Sequence, residues 1–484
     1  MASFEKPSSV FKHTFFYSAG NLLSRGLNFL LLPFYSHFIT TNDFGIYSVI
    51  ISAVTILSTV INLGFPSIFI KNLSEAETDD ERKRIFSNIF LLILSISVIS
   101  FLIILIFVKP LSKFLIGNEN YQLEVFLGFL SILIYNLSYY TASIYITQED
   151  SRKYVSKTAI SAILNFVLNL FLIGYLRAGI NGIFISQILS SIVLIYLSKD
   201  GLEKYFEFKF DKELTKQLLI LSLPLFFSGL FSILVEVIDR IFIIKILNES
   251  SAGIYSFGYR IALIYNLFIL SFKTSWIPHF MKLKHLDEIE RSKHIGRIFT
   301  KLIYISALII LTITLFTEEL FELKISNVNV ISTQYQGSSE IIFIVMFGYF
   351  FSLMMTFFSP APYLTNKTIH FLISDLISAV TNVGLNFVLI KTYGIKGAAY
   401  STLIAFFFGF VYLSIYSSRV VKVKYEVKKL ILMIGISFII YMIGKIVNDG
   451  FTELALIIIL ILAGFRLKIF GKKILNNKQN SHLV

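Results

Sequence analysis

A chain of 484 residues that is 55% hydrophobic and only 15% charged, with a mean hydropathy of +0.75, is too apolar for a soluble globular protein, where roughly 25% charged residues are usual. Cysteine is absent, which excludes disulfides, thiolate zinc sites and cysteine nucleophiles. The formal net charge of +13 would point to nucleic acid in a soluble protein; here its placement makes it a topology signal, and no nucleic-acid partner is expected.

Apolar stretches long enough to cross a hydrocarbon layer of roughly 30 Å as helices recur along the whole chain. They predict an all-α polytopic membrane protein with about fourteen transmembrane helices. In chain order the spans are 14–39, 45–70, 85–108, 121–147, 156–177, 179–198, 214–247, 252–280, 296–316, 339–365, 368–392, 394–418, 429–447 and 453–470. The first is too long for a signal-peptide core and lacks a small-residue cleavage site, so it reads as a span. With the N-terminus inside, and charges near span ends counted with the side they adjoin, 31 of the 43 Lys and Arg fall on the cytoplasmic side, 8 on the outside and 4 deep within spans. That bias places both termini in the cytoplasm, with attraction to anionic headgroups of membrane lipids as a secondary effect.

Two stretches repeat. "FGIYS" (44–48) recurs as "AGIYS" (252–256), and "NFVLNLFLIGYLRAGINGIFIS" (165–186) resembles "NVGLNFVLIKTYGIKGAAYS" (382–401). The offsets of 208, 217 and 215 residues describe one gapped duplication. Six spans on each side give the copies one orientation, and two such bundles about an axis normal to the membrane are a transporter plan. The predicted organisation is therefore two pseudo-symmetric six-helix bundles, 1–198 and 214–418, joined by a cytoplasmic linker at 199–213. Residues 419–484 add helices 13 and 14 and a basic cytoplasmic tail.

Charges inside spans are the candidate functional residues, because a charged side chain at a helix centre costs at least about 2.5–3.5 kcal/mol on insertion scales. In span 1, Ser18, Asn21, Arg25 and Asn28 fall at spacings of three and four and form one polar stripe. Such a stripe faces protein or a water-filled cavity; a structural ion pair is the plainer alternative. In span 7, Glu236, Asp239 and Arg240 lie together, with Glu236 and Arg240 four apart and able to pair. The repeat sets Glu236 opposite Asn28. These three are candidates for gating or ion coupling, against the alternative of an interfacial salt bridge. Span 8 carries Arg260 and Lys273, about 20 Å apart along a helix; Lys273 is also placed to snorkel to the cytoplasmic interface. Asp375 is a lone carboxylate in span 11, a coupling-ion site or the partner of a cation.

The pairs Asn165/Asn169 and Asn382/Asn386 each share a helix face, a pattern that interhelical hydrogen bonds explain. Gly179/Gly182 and Gly394/Gly397 are expected to permit close packing at the start of spans 6 and 12. Asp43-Phe44-Gly45 spells a kinase triplet without the loops that accompany it. No phosphate-binding Gly-rich loop or His-Glu-x-x-His is present, so neither a nucleotide motor nor a metal site is expected.

Taken together, "GNLLSRGLNFLLLPFYSHFITTNDFGIYSVI", "TQEDSRKYVSKTAISAILNFVLNLFLI" and "GINGIFIS", on a fourteen-span plan, resemble the polysaccharide-biosynthesis flippases of the multidrug/oligosaccharidyl-lipid/polysaccharide exporter superfamily. The resemblance implies a multi-pass protein of the bacterial inner membrane, not an enzyme. It would move undecaprenyl-pyrophosphate-linked sugar units outward by rocking two bundles about a cationic cavity. Arg25 and Arg260 match positions where relatives keep cavity cations; Lys273, Asn21 and Asn28 join them as candidate substrate contacts. The chain lacks a second arginine in span 1 and any cation in span 2, which favours O-antigen or capsule units over peptidoglycan precursors. Polysaccharide polymerases and glycosyltransferases are the implied partners. No cofactor is implied beyond a coupling proton or sodium ion. The alternatives are a cation-coupled multidrug exporter of the same superfamily and a membrane polysaccharide polymerase or ligase.

Overall fold

The computed structural model describes residues 7–447 and 449–469, with side chains from residue 23 onward, position 284 excepted. The first helices are α1 (Pro7–Phe38), α2 (Thr41–Asn62), α3 (Phe65–Glu75), α4 (Asp79–Ile116), α5 (Gln122–Thr147) and α6 (Ser151–Asn169). The last runs on as a π-helical turn, Leu170–Tyr175. Next come α7 (Gly179–Leu197), α8 (Lys199–Tyr205), α9 (Lys212–Ile246), α10 (Glu249–Ala262) and α11 (Ile264–Lys282). The series ends with α12 (Glu288–Leu315), α13 (Thr317–Glu322), α14 (Ser339–Phe358), α15 (Pro360–Leu364), α16 (Ile369–Val420), α17 (Val427–Val447) and α18 (Gly450–Arg466). Strand pairing among the described residues is confined to β1 (Lys324–Ile325) and β2 (Val328–Asn329).

The protein is all-α, as the composition requires. Helix runs through the described part of each stretch read as a span. Among the described residues ten helices are long and apolar enough to cross a membrane, and eleven when α10 and α11, bent at 42°, count as one span. One of the ten is α16, whose 52 residues would extend about 78 Å, more than twice a hydrocarbon core. It is broken at Gly394, with φ 59° and ψ −138°. The broad apolar surface suits lipid: along α4, Val98, Ile99, Leu102, Ile103, Ile106 and Phe107 are all exposed.

Two compact units make up the chain. The first comprises 1–257 and 383–398, the second 258–382 and 399–484. Spans 7 and the start of 8 join the first unit because α2 packs against both α9 and α10 at glycines. A Cβ at Gly64 would lie 2.8 Å from the Phe226 nitrogen, and Gly64 itself sits at φ 77° in the break between α2 and α3. A Cβ at Gly45 would overlap the Glu249 carbonyl, and one at Gly253 the Thr41 carbonyl. Thr41 and Glu249, like Gly45 and Gly253, are the same positions of the two repeats, so the contact is reciprocal. Thr41 Oγ1 and Ser250 Oγ meet across it at 2.8 Å.

The copies are capped alike. Thr40 Oγ1 accepts from the Asp43 N–H at 3.1 Å, and Asn248 Oδ1 accepts from the Ser251 N–H at 2.8 Å. Asp43-Phe44-Gly45 is thus a helix start followed by a packing glycine.

The segment 199–213 is tied down. Ser87 Oγ accepts from the Glu207 N–H at 2.8 Å, and Asn88 Oδ1 accepts from the Asp211 N–H at 2.6 Å. Asp211 caps α9 through the Leu214 N–H and receives Arg84 Nε at 2.8 Å. Those two interactions, the backbone N–H first, hold the Asp211 carboxyl below its ordinary range. Asp200 accepts from Lys157 Nζ at 2.7 Å and from the Tyr145 hydroxyl at 2.5 Å. Burial pushes its carboxyl up, and these bonds more than offset that, leaving it lowered.

In the second unit, the Tyr259 and Tyr349 hydroxyls meet at 2.9 Å. The Trp276 ring stacks on Phe357 at 5.1 Å while its N–H donates to the Phe357 carbonyl at 2.8 Å.

Candidate functional site

In the first unit Arg25 and Asn28 are exposed on one face of α1. No hydrogen bond or ion pair among the described residues engages the Arg25 guanidinium. Its charge reaches the Glu236 carboxylate on α9 and the Tyr135 hydroxyl on α5. Glu236 is half-buried. The exposed Ser232, one turn earlier, continues its face. Three helices therefore bring a cation, a carboxylate and a phenol towards one another on a surface that is open. Inside an apolar span an open guanidinium is stable only where water replaces lipid. The remaining stripe members, Ser18 and Asn21, lie outside the residues whose side chains are described.

Deeper in this unit, Asp239 is fully buried. Tyr255 donates its hydroxyl to Oδ2 at 2.5 Å, and the Asn386 amide donates to Oδ1 at 2.6 Å. Arg240 donates to the Glu236 backbone carbonyl and lies over the Tyr255 ring, 5.7 Å from its centroid. Each oxygen of this buried carboxylate thus accepts a hydrogen bond, as a buried polar group requires.

The asparagine pairs serve equivalent roles in the two copies. Asn165 Nδ2 donates to Ser190 Oγ at 3.3 Å, and Asn382 Nδ2 to Thr402 Oγ1 at 3.3 Å; each reaches a hydroxyl on the following span. Asn169 Oδ1 accepts from Tyr35 at 2.7 Å, as Asn386 binds Asp239, so each second asparagine ties the first helix of its own copy. The glycines divide their work. Gly179 and Gly394 have φ 56° and 59° with open space where a Cβ would be, so they supply a backbone conformation and not close packing. Gly182 and Gly397 are the close-packing pair: a Cβ would lie 3.0 Å from Ile173 in the first and would overlap the Leu389 carbonyl in the second.

In the second unit Lys273 is exposed on α11 beside exposed Ser271, Thr274 and Ser275, a hydrophilic patch within a span. Arg260 is half-buried in the last turn of α10, just ahead of the 42° bend. Asp375 is half-buried on α16 between the buried Ser374 and Ser378. A cavity of about 240 Å³ lies among α12, α14 and α17, lined by Ile303, Phe343, Phe347, Met433 and Tyr441 among others. The Phe343 and Tyr441 rings stack there at 4.7 Å.

Sequence reasoning missed Tyr135 and a polar network inside the first unit. Ser58 donates to Asn136 Oδ1 at 2.8 Å, Asn62 Nδ2 to the same oxygen at 3.2 Å, and Tyr140 to Asn62 Oδ1 at 2.9 Å. The density of Ser, Tyr and Asn over 131–145 in span 4 was the available signal.

Residues 10–284 match the family described as polysaccharide biosynthesis protein, more than half of the 484-residue chain. The chain belongs to that family. This polysaccharide biosynthesis protein is 25% identical over 415 residues to an uncharacterized membrane protein, MJ1375, of Methanocaldococcus jannaschii, covering 82% of this chain and 95% of the relative. Its fold resembles a solved lipid II flippase, MurJ, in an inward closed conformation, with TM-score 0.77 and 18% identity over 94% of this chain and 98% of that one. It also resembles an inward-facing multidrug resistance MATE family transporter of the MOP superfamily, with TM-score 0.66 and 14% identity over 82% and 95% of the respective chains. At these identities the likeness concerns the fold.

Proposed function

We propose that the protein is a flippase for undecaprenyl-pyrophosphate-linked oligosaccharides of the bacterial inner membrane, with both termini in the cytoplasm and no enzymatic step of its own. The observation that carries this reading is the open Arg25 guanidinium, with Asn28 on the same face, in an apolar span of a polysaccharide biosynthesis protein. A diphosphate bears roughly two negative charges and its sugars carry many hydroxyls, none of which crosses hydrocarbon unaided. The planar guanidinium fork donates two parallel hydrogen bonds to phosphate oxygens. Arg25, Arg260 and Lys273 supply the positive charge and Asn28 a neutral contact, while the polyprenyl tail stays in lipid. Alternating access then exposes the bound headgroup to either face. The reciprocal Gly45–Gly253 contact is the element that parts when the outer side opens. Asp239 is the candidate coupling site for a proton or sodium ion, with Glu236, Arg240 and Asp375 as further gating or coupling groups. Repeat units of O-antigen or capsule type are the proposed cargo, and a polymerase and glycosyltransferases the proposed neighbours.

The test is surface polysaccharide in cells whose only copy is Arg25→Ala, Arg25→Lys or Arg260→Ala, at matched membrane abundance. Both alanine variants are expected to abolish the polymer and to leave lipid-linked units in the cytoplasmic leaflet, with Arg25→Lys intermediate. Full complementation by both alanine variants would overturn the cationic-cavity reading. Drug resistance on expression without a polysaccharide phenotype would favour a cation-coupled exporter, a reading that the buried Asp239 carboxylate keeps open.

A further inference from the structure

A second group of ionisable residues lies where α12 passes into α13 and α17 hands over to α18, all within the second unit. Glu318 and Glu319 come from α13, Lys445 from the end of α17, Asp449 from the cap of α18 and Glu453 from its first turn. Beyond Lys301, α12 brings no charged side chain. Most of these groups have evident partners. Lys445 Nζ donates to Glu318 Oε1 at 2.8 Å, and Asp449 Oδ2 accepts from the Thr452 N–H at 3.1 Å and its hydroxyl at 3.0 Å.

Glu319 and Glu453 differ. Glu453 is 1% exposed, and both its Oε2 and the Oε2 of Glu319 are buried with no hydrogen-bond partner. Glu319 is the carboxyl that acts most directly on Glu453, and Lys445 is the cation whose charge reaches Glu453. Glu319 sits over the start of α18, since a Cβ on Gly450 would be 3.5 Å from its Oε1. Two carboxylates in contact and out of water do not both ionise. A metal is the poorer answer to the excess of negative charge: among the described residues no group of three or more His, Asp or Glu side chains is placed to hold one. A single hydrogen between the two groups turns repulsion into a charge-assisted O–H···O⁻ bond, and the N-terminus of α18 favours the one remaining negative charge.

We propose that Glu319 and Glu453 together bind one proton, and that this shared proton latches α13 onto α18. When it leaves for water, two facing carboxylates remain and the latch loosens. By the positive-inside reading this end lies outside the cytoplasm, so the latch senses the outer medium. The inference is independent of the transport reading.

The sign of the effect follows from linkage. A free Glu titrates near about 4.3; a proton shared between two facing carboxyls is released only at a higher pH, because its loss leaves two like charges side by side. The stabilisation is therefore complete below the free-Glu range and is lost as pH rises through the titration of the folded pair. The experiment is apparent Tm of the full-length protein in detergent from pH 5 to 9, read by the fluorescence of the single Trp276, for wild type, Glu453→Gln and Glu319→Gln. An amide donates the same hydrogen bond without titrating, so each Gln variant should flatten the alkaline decline and exceed wild type at pH 9 by roughly 2–4 °C. Parallel pH profiles for wild type and both variants would overturn the proposal. Restoration of the wild-type Tm at pH 9 by millimolar Ca²⁺ or Mg²⁺ would overturn it in favour of a metal site. Should neither variant fold, hydrogen exchange of wild-type α13 and the first turn of α18 decides: protection falling from pH 5 to 9, after correction for intrinsic rates, supports the latch, and constant protection refutes it.

Discussion

Substituting Gly45 by alanine tests the reciprocal contact between the two repeats. The new methyl would overlap the Glu249 carbonyl oxygen and lie 3.0 Å from the Gly253 nitrogen. These are backbone atoms that no rotamer change moves aside, so α2 and α10 must separate. Overpacking of this kind costs about 1–3 kcal/mol, and at tenfold per about 1.4 kcal/mol the contacted form becomes roughly 5- to 150-fold less populated. Gly253→Ala should act alike, because its methyl would meet the Thr41 carbonyl. The chain has no cysteine, so the contact can be read without background. Thr41→Cys and Ser250→Cys, replacing hydroxyls 2.8 Å apart, should form a disulfide under mild oxidation. Either glycine substitution should slow that reaction by the same factor. Gly435→Ala, where a Cβ meets nothing within 4 Å, should not. In the proposed cycle the disulfide also arrests transport until it is reduced. Unchanged cross-linking in both glycine variants would refute the argument that glycine packing holds these helices together.

Asp239→Asn keeps the shape of the buried carboxylate but not its charge; the protein should fold, and transport should lose its dependence on pH or sodium, measured in vesicles. Asp239→Ala instead removes the acceptor of the Tyr255 hydroxyl and Asn386 amide hydrogen bonds, with an expected stability loss of about 1–3 kcal/mol in thermal unfolding. For the linker, the Asp211 and Asp200 carboxyls are held below their ordinary range. Their stabilisation is present above the free-Asp value near about 3.9 and is lost as pH falls through the lower folded values. Limited proteolysis at 199–213 should accelerate only under those acidic conditions in wild type, but already at neutral pH in Arg84→Ala. Gly394→Ala should cost about 1–3 kcal/mol by thermal unfolding. The space there is open, so the cost is one of backbone conformation, and an unchanged Tm would contradict it.

Hydrophobicity and charge act locally along the chain, which is why the helices of this protein, its repeated stretches of sequence and the charges within its apolar segments were legible from composition and spacing alone. Arg25 and Asn28 share a face because a helix repeats every 3.6 residues, and no partner is needed to know it. The same logic put Asn165, Asn169, Asn382 and Asn386 on helix faces, but their partners lie on other helices: Ser190, Tyr35, Thr402 and Asp239. Neither the reach of the Arg25 charge to Tyr135 nor the reciprocal fit of Gly45 and Gly253 has a local signature. Gly179 and Gly394 looked like packing residues until their positive φ showed a backbone role. Glu319 and Glu453, far apart in sequence and each unremarkable on its own helix, become a pair only when α13 and α18 are brought together. Local periodicity determined which side chains share a face; tertiary packing alone decided which faces meet, because contact energies depend on distance in space and leave no period in the chain.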